Sequence, residues 1–396
     1  MSWRRCWHVL VMAAVCCAGC GRPQAPQPEG AATQAPAKKF TWPARLSEFD
    51  LFESVLPTSP AGSQGSGPFV LAKGVTPYGL NTPLFSDYSW KYRHVRLPDG
   101  AQATYHGDAA FDFPDGTVLA KTFAYPDDMR RDDSTVRLIE TRVLVKHDGE
   151  WQATAYLWNG QQTDAELARA GHVSQVSWIH DDGSPRELDY LVPNVNQCKG
   201  CHQTAEHDIM PLGPKGRNLN GDFSYAAGTA NQLAHWQATG ILAGLDEPID
   251  AAPRAAVWDD TATGDLAARA RAYLDVNCAH CHNPAGAART TGLDLSLTQS
   301  EPARIGVWKT PVAAGRGAGG LLFNVVPGKP DESIVLLRIY SLEPQVMMPE
   351  LGRRMIHDEG VELIRQWIAS LDPGAGVPDT PGGVQPNVDS PPVDAG

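Results

Sequence analysis

Two short stretches decide how this chain is interpreted: residues 198–202, which read CKGCH, and residues 278–282, which read CAHCH. Both have the form C-x-x-C-H. The chain has 396 residues and eight cysteines, and the four cysteines outside these stretches all lie within the first 20 residues. Because the internal cysteines form two close pairs, their spacing does not suggest a disulfide framework.

The C-x-x-C-H spacing is typical of c-type haem attachment, in which two thioethers bind the porphyrin and the adjacent histidine binds the iron. Two intervening residues let both sulfurs reach the two vinyl positions on one haem edge. The sequence therefore predicts two covalently bound haem c groups. The predicted haem-binding residues are Cys198, Cys201, His202, Cys278, Cys281 and His282, with His202 and His282 as iron ligands. A Cys₄ zinc site and a redox-active dithiol are the alternatives, and neither requires a histidine after both motifs.

Met348 is the predicted sixth ligand of the second haem. It precedes Pro349 and lies just before a predicted amphipathic helix, and thioether ligation raises the reduction potential of a haem iron. Met347 is the neighbouring alternative. For the first haem, Met210 ranks first, because it also precedes a proline. The other candidates for that position are His235, His207 or no side chain at all, which would leave a five-coordinate iron able to bind a substrate.

Charge and hydropathy exclude several classes of protein. The chain has 33 Lys and Arg against 45 Asp and Glu, a net charge of -12, which argues against a nucleic-acid binder with a basic face. It has no apolar run of 20 residues, so no membrane-spanning helix is expected. An acidic surface instead predicts redox protein partners with a basic docking face.

The first residues have the pattern of an export signal. Two arginines precede an apolar stretch, and small residues lead into Cys20, which resembles a bacterial lipoprotein signal at residues 1–19 with lipid attachment at Cys20. Cleavage without a lipid is the alternative. Removing residues 1–19 takes away two arginines and no acidic residue, which changes the net charge from -12 to -14. Residue 21 is Gly and not Asp, and by resemblance to the lipoprotein sorting pattern this favours the outer membrane over retention in the inner membrane. We therefore expect a periplasmic protein anchored to the outer membrane, with the lipid as its only membrane contact.

The pattern between the two ends predicts an α+β chain of several domains. Residues 40–197 are expected to form an antiparallel β-rich, sandwich-like domain, with hairpins over 136–158 and 173–192. Beyond it the pattern turns helical, with helices predicted over 229–240, 265–276 and 358–371. The predicted divisions are a tether at 20–39, the β-rich domain, a first haem-binding segment at 198–250, an α-helical cytochrome c-type domain at 251–371, and a disordered tail at 372–396.

The motifs resemble a known family. Residues 265–371 resemble a class I cytochrome c domain through the helix leading into the second motif, Met348-Pro349, and the closing sequence Gln366-Trp367-Ile368. The whole mature chain is similar to a family of mostly uncharacterised bacterial dihaem c-type cytochrome lipoproteins. That match runs through residues 77–87, 140–142, 197–198, 211–215 and 231–233.

The leading hypothesis is an exported electron-transfer protein, and no residue is assigned a catalytic role. A dihaem peroxidase or oxidase with one open iron is the competing enzyme hypothesis. A third hypothesis makes the β-rich domain a binding module for another envelope protein.

Overall fold

A six-stranded antiparallel sheet is the largest element of the fold, seen in a computed structural model that describes residues 39–58 and 65–374. Its strand order is β3-β4-β6-β7-β8-β9. The strands are β1 (Phe52–Val55), β2 (Phe69–Leu71), β3 (Val75–Tyr78), β4 (Trp90–Arg96), β5 (Ala103–Thr104), β6 (Val118–Pro126), β7 (Val136–His147), β8 (Glu150–Trp158), β9 (Ala165–Leu167), β10 (His172–Ile179), β11 (Pro185–Val192), β12 (Asp222–Tyr225), β13 (Gly228–Asn231) and β14 (Leu242–Ala243). The α-helices are α1 (Val195–His202), α2 (Gly216–Leu219), α3 (Gln232–Ala238), α4 (Leu266–Asn277), α5 (Pro302–Ile305), α6 (Ile334–Tyr340) and α7 (Asp358–Ser370). The fold class is α+β.

The predicted hairpin over 136–158 is confirmed as β7 paired with β8. Its turn is Asp148-Gly149, and both residues have positive φ, 51° and 81°. Such a two-residue turn matches the right-handed twist of the flanking strands, and glycine adopts positive φ without steric cost. The second predicted hairpin is also confirmed, as β10 paired with β11.

The six-stranded sheet is covered on both faces. One face packs a cluster that contains Leu46, Phe49 and Tyr156. The other face is covered partly by the β10–β11 hairpin, through Phe123 and Trp178, and partly by the chain that follows the hairpin. The β-rich part is therefore one large sheet with small hairpins around it, where the sequence predicts a sandwich-like domain.

The chain from α1 to β14 packs on this sheet. The Trp236 ring is fully buried and lies 5.6 Å from the Tyr78 ring and 6.0 Å from the Phe111 ring. The prediction of a helix over 229–240 is wrong at its start. Residues 228–231 form β13 against β12, and the Asn231 side chain accepts hydrogen bonds from Leu233 N and Ala234 N, so the helix begins only at Gln232.

A separate helical core forms near the C-terminal end of the described chain. Helices α4 and α7 pack together through residues that include Leu274, Ile364 and Trp367. The predicted helices over 265–276 and 358–371 are confirmed within a residue at each end. The Asp265 side chain caps α4 by accepting a hydrogen bond from Ala268 N at 2.8 Å.

Within residues 39–58 and 65–374, no helix is both long and apolar enough to cross a membrane. The predicted signal at 1–19, the lipid attachment at Cys20 and nearly all of the predicted tether and tail lie outside the described residues.

Candidate functional site

The first C-x-x-C-H motif lies on α1, whose start is set by the preceding residues. The Asn194 side chain accepts a hydrogen bond from Gln197 N at 3.0 Å, and the Gln197 side chain accepts one from Asn194 N at 2.9 Å. This reciprocal cap satisfies two backbone donors and fixes the helix just before Cys198. The second motif is placed differently, because its first cysteine comes immediately after the last residue of α4.

Each motif histidine is oriented through Nδ1. His202 Nδ1 lies 2.8 Å from the Met210 carbonyl oxygen, and His282 Nδ1 lies 3.2 Å from Thr291 Oγ1. Burial lowers the pKa of both His202 and His282 to about 4, so both rings are neutral near pH 7. A neutral imidazole held through Nδ1 presents Nε2 as a metal ligand, which is how metal-ligating histidines are commonly oriented.

The two motifs contact each other although they lie far apart in sequence. Cys281 Sγ lies 3.7 Å from the Gly200 carbonyl oxygen, and Ala205 N donates to the Ala285 carbonyl oxygen at 2.8 Å. Gly200 is tightly packed here, because a Cβ at this position would lie 3.1 Å from Leu351 Cδ1. The loops that carry the two motifs therefore form one site.

A cavity of about 470 Å³ extends along both motifs. Its lining includes Cys201 and His202 of the first motif, Cys278 of the second, and Met348 from the loop before α7. Cofactor sites generally occupy about 300–1,000 Å³ and are lined mainly by apolar groups with a few polar ones. One thiol from each motif, the His202 imidazole and the Met348 thioether line this cavity, whereas Cys198, Cys281 and His282 do not. Thiols, imidazole and thioether are the kinds of donor that c-type haem uses.

The four motif thiols do not fit the alternative chemistries. Burial raises the pKa of all four, to about 12 for Cys278 and about 11 for Cys281. Redox-active cysteines need a lowered pKa, because the thiolate is the nucleophile. Among the described residues, no three His, Cys, Asp or Glu side chains are grouped so that they could share a metal ion, so the four sulfurs are not arranged as a Cys₄ zinc site.

The loop that carries Met348 is fixed by buried polar groups. The Arg353 guanidinium is 6% exposed and donates to the carbonyl oxygens of Met348 at 2.8 Å and of Ser341 at 2.8 Å. Asp87 Oδ1 accepts hydrogen bonds from Arg354 N and Met355 N, both at 2.7 Å. This arrangement holds Met348 at the cavity, whereas its neighbour Met347 is not among the residues that line it.

The three side chains predicted for the sixth position of the first haem lie in different surroundings. Met210 lines the cavity and is 43% exposed, and its carbonyl oxygen lies 2.8 Å from His202 Nδ1. His235 is stacked on Tyr225 with ring centroids 3.7 Å apart. His207 is an exposed loop residue.

His280, inside the second motif, is a candidate that the sequence reasoning missed. It lines the cavity, and although its buried Nδ1 atom makes no well-formed hydrogen bond, the Val276 backbone acts on the ring as a hydrogen-bond partner. Burial lowers its pKa to about 4, so the ring is neutral. The sequence does show a histidine between the two cysteines of the second motif. Spacing alone, however, does not show that His280 lies near the first motif.

The segment 77–87 joins the sheet to the second motif. Phe85 N donates to Asn277 Oδ1 at 2.8 Å, next to Cys278. A buried ion pair makes a second connection, because Arg217 donates to both oxygens of Asp275 on α4, at 3.0 and 3.1 Å. The segment that follows β3 and helix α2 are therefore linked by hydrogen bonds to α4, which leads into the second motif.

No protein family, curated protein or solved structure was found to match this chain.

Proposed function

We propose that this protein is an exported dihaem c-type cytochrome that transfers electrons between redox partners of the cell envelope. The observation that carries the proposal is the contact between the two C-x-x-C-H motifs at Cys281 and Gly200, along a cavity that both motifs line. Bound haem would supply a one-electron Fe(III)/Fe(II) couple. The chain supplies the ligands, the burial and the orientation that tune that couple.

The proposal assigns His202 and His282 as the iron ligands that follow the thioether pairs. Their Nδ1 atoms are held by the Met210 carbonyl and by Thr291, which supports ligation through Nε2. Half-buried, neutral rings with a fixed orientation would lose little freedom when they bind iron. The four raised thiol pKa values are compatible with sulfurs that are consumed as thioethers.

The proposal also makes the C-terminal part a class I cytochrome c-like domain with Met348 as the sixth ligand. Three features support it: the packing of α4 on α7, the second motif directly after α4, and the hydrogen-bonded Met348 loop between α6 and α7. A thioether ligand favours the ferrous state, as an electron carrier requires.

For the first haem we propose His280 in place of Met210. The half-buried His280 ring lines the cavity together with His202, which would place an imidazole donor beside the first motif. The remaining histidine that lines the cavity, His357, is already engaged, because its Nδ1 lies 3.0 Å from Tyr273 Oη and its ring stacks on Phe85 at 4.2 Å.

The enzyme hypothesis, a peroxidase or oxidase with one open iron, remains the second candidate. It is favoured by the positions of His235, which is stacked on Tyr225, and of the exposed His207, because neither residue lines the cavity. Carbon monoxide binding distinguishes the two functions. If His280 ligates, the ferrous protein shows no spectral change with carbon monoxide, and His280→Phe gains carbon monoxide binding at one haem. If the unmodified protein binds carbon monoxide at one haem, the enzyme hypothesis replaces the electron-transfer proposal.

Export, lipidation at Cys20 and attachment to the outer membrane remain part of the proposal and rest on the sequence alone. Mass spectrometry of the mature protein tests them, with a lipid-bearing N-terminal cysteine at position 20 as the expected result. The net charge of -14 after processing also implies a partner with a basic docking face. The rate of electron exchange with such a partner should fall as ionic strength rises.

A further inference from the structure

Three basic residues form a row across the middle of the six-stranded sheet. Arg93 on β4 is directly opposite Lys121 on β6, and Lys121 is directly opposite Arg142 on β7. Tyr78 on β3 continues the row beside Arg93. Because neighbouring strands lie about 4.8 Å apart, the row extends about 10 Å from Arg142 to Arg93.

The row lies on the face of the sheet that meets the haem motifs. Arg93, Lys121, Arg142 and Tyr78 all line the cavity described above. The next row along the strands is apolar and contains Val95, Leu119, Leu144 and Ala153. The basic side chains therefore occupy inward-facing positions of a largely buried surface, where like charges directly opposite each other are destabilising.

Only Arg142 has a carboxylate partner within this row. Glu140 is fully buried, receives hydrogen bonds from Arg142 at 2.6 and 3.0 Å, and accepts one from Tyr190 Oη at 2.6 Å. Lys91, in the adjacent row, donates to the Ser89 carbonyl oxygen and has Asp87 nearby. On the opposite side of the cavity, Asp275 is occupied by Arg217.

Arg93 and Lys121 are left without a counter-charge among the described residues. Arg93 is 6% exposed, donates one hydrogen bond, to the Lys91 carbonyl oxygen at 3.3 Å, and its second terminal nitrogen is buried with no partner. Lys121 lies over the Phe123 ring at 4.7 Å, and the acid that acts on it electrostatically is Glu140, which is already bound to Arg142. Burying charges without a partner is costly, so such groups are normally paired.

We propose that Arg93 and Lys121 form a binding site for an oxyanion inside the cavity. The planar guanidinium donates two parallel hydrogen bonds to a carboxylate or a similar oxyanion, and the ammonium adds a point charge beside it. Two sources share this chemistry: a carboxylate side chain of a haem bound at the first motif, or a small free oxyanion that enters the cavity. The first source rests on the function proposed above, whereas the second does not.

The test uses the full-length protein purified with its haem groups, and three variants that each remove one positive charge. Arg93→Gln and Lys121→Gln change the proposed site. Arg137→Gln is the matched control, because Arg137 is exposed on β7 of the same sheet and donates to the Gln175 carbonyl oxygen. Two quantities are measured for each protein: the midpoint potentials of the haems, and the binding of inorganic phosphate by calorimetry.

If a haem carboxylate occupies the site, Arg93→Gln and Lys121→Gln should each lower the midpoint potential of one haem, and phosphate should not bind. The reason is that removing a cation beside an anionic group favours the ferric form. A free oxyanion predicts that phosphate binds with saturation, and that Arg93→Gln weakens this binding about ten-fold or more, the size expected from losing a hydrogen bond to a charged group. Arg137→Gln should change neither measurement.

The inference is overturned if Arg93→Gln and Lys121→Gln both match Arg137→Gln in haem potentials and phosphate does not bind. Lys121→Gln keeps the test decisive should Arg93→Gln fail to fold. Haem content is measured on the same samples. If the protein carried no covalent haem, the proposed function would fail, but phosphate calorimetry would still decide whether Arg93 and Lys121 bind an oxyanion.

Discussion

Cys281 Sγ lies 3.7 Å from the Gly200 carbonyl oxygen, so the second C-x-x-C-H motif touches the first across 81 residues of sequence. Gly200 belongs to α1, in the part of the chain that packs on the sheet. Cys281 lies just after α4 of the helical core. The contact makes the two motifs parts of one site. Under the proposed function it would favour electron exchange within the molecule, since two haem groups attached to touching loops would lie close together.

The ion pair between Arg217 and Asp275 should be a main determinant of stability at this junction. Both side chains are 4% exposed, and Arg217 also bonds Asp108 at 2.7 Å. Arg217→Met would leave Asp275 buried without its counter-charge, so the free energy of unfolding should fall by about 3–5 kcal/mol. Urea denaturation measures this change.

Arg304→Met is the control for that experiment. Arg304 pairs with Glu301 at the surface, where both side chains are more than half exposed, and exposed pairs contribute about 0–1 kcal/mol. Equal losses in the two variants would contradict the role given to the buried pair.

Met348→Leu should remove the sixth ligand of the second haem. The expected result is a lower midpoint potential for one haem and new carbon monoxide binding by the ferrous protein, because the thioether no longer occupies the iron. Met347→Leu is a closely matched control, since it makes the same change one residue earlier. Loss of ligation in Met347→Leu together with retention in Met348→Leu would show that the assignment is wrong.

His94 should make stability depend on pH. It is fully buried and packs edge-on against the stacked rings of Phe52 and Phe69, its Nε2 lies 3.0 Å from the Ser66 carbonyl oxygen, and burial lowers its pKa from 6.5 to about 4. Below pH 6.5 the unfolded chain binds a proton that the folded protein excludes until about pH 4. Stability present above pH 6.5 is therefore lost as pH falls through this window, by about 3 kcal/mol from this residue.

His94→Phe should reduce the loss of unfolding free energy between pH 6.5 and 4 by that amount. Denaturation curves at several pH values provide the comparison. His172→Gln replaces a histidine at an exposed position of β10 and serves as the control. An unchanged pH dependence in His94→Phe would rule out the assigned contribution.

Local patterns in the sequence predicted the local structure well. The Asp148-Gly149 turn between β-branched runs predicted the β7–β8 hairpin, and the apolar spacing after Asp358 predicted α7. The start of α3 was missed because Asn231 both ends a strand and caps the helix, so periodicity alone placed the helix start too early. These signals act over a few residues, which is why spacing reveals them.

The arrangement of the site depends on contacts that spacing does not encode. The meeting of Gly200 with Cys281 and the alignment of Arg93 with Lys121 follow from strand register and from packing between distant segments. The sequence did contain one indication of the basic row, namely charged residues at inward-facing positions of strands that are otherwise buried. The sequence could show that Met210 precedes a proline, but not that its carbonyl faces His202.

Covalent haem stoichiometry tests the central claim most directly. A pyridine haemochrome assay combined with the intact mass of the purified protein should give two haem groups per chain. The double variant Cys198→Ala/Cys201→Ala and the double variant Cys278→Ala/Cys281→Ala should each retain one. A wild-type protein with one covalent haem, with none, or with zinc in place of haem would contradict the account.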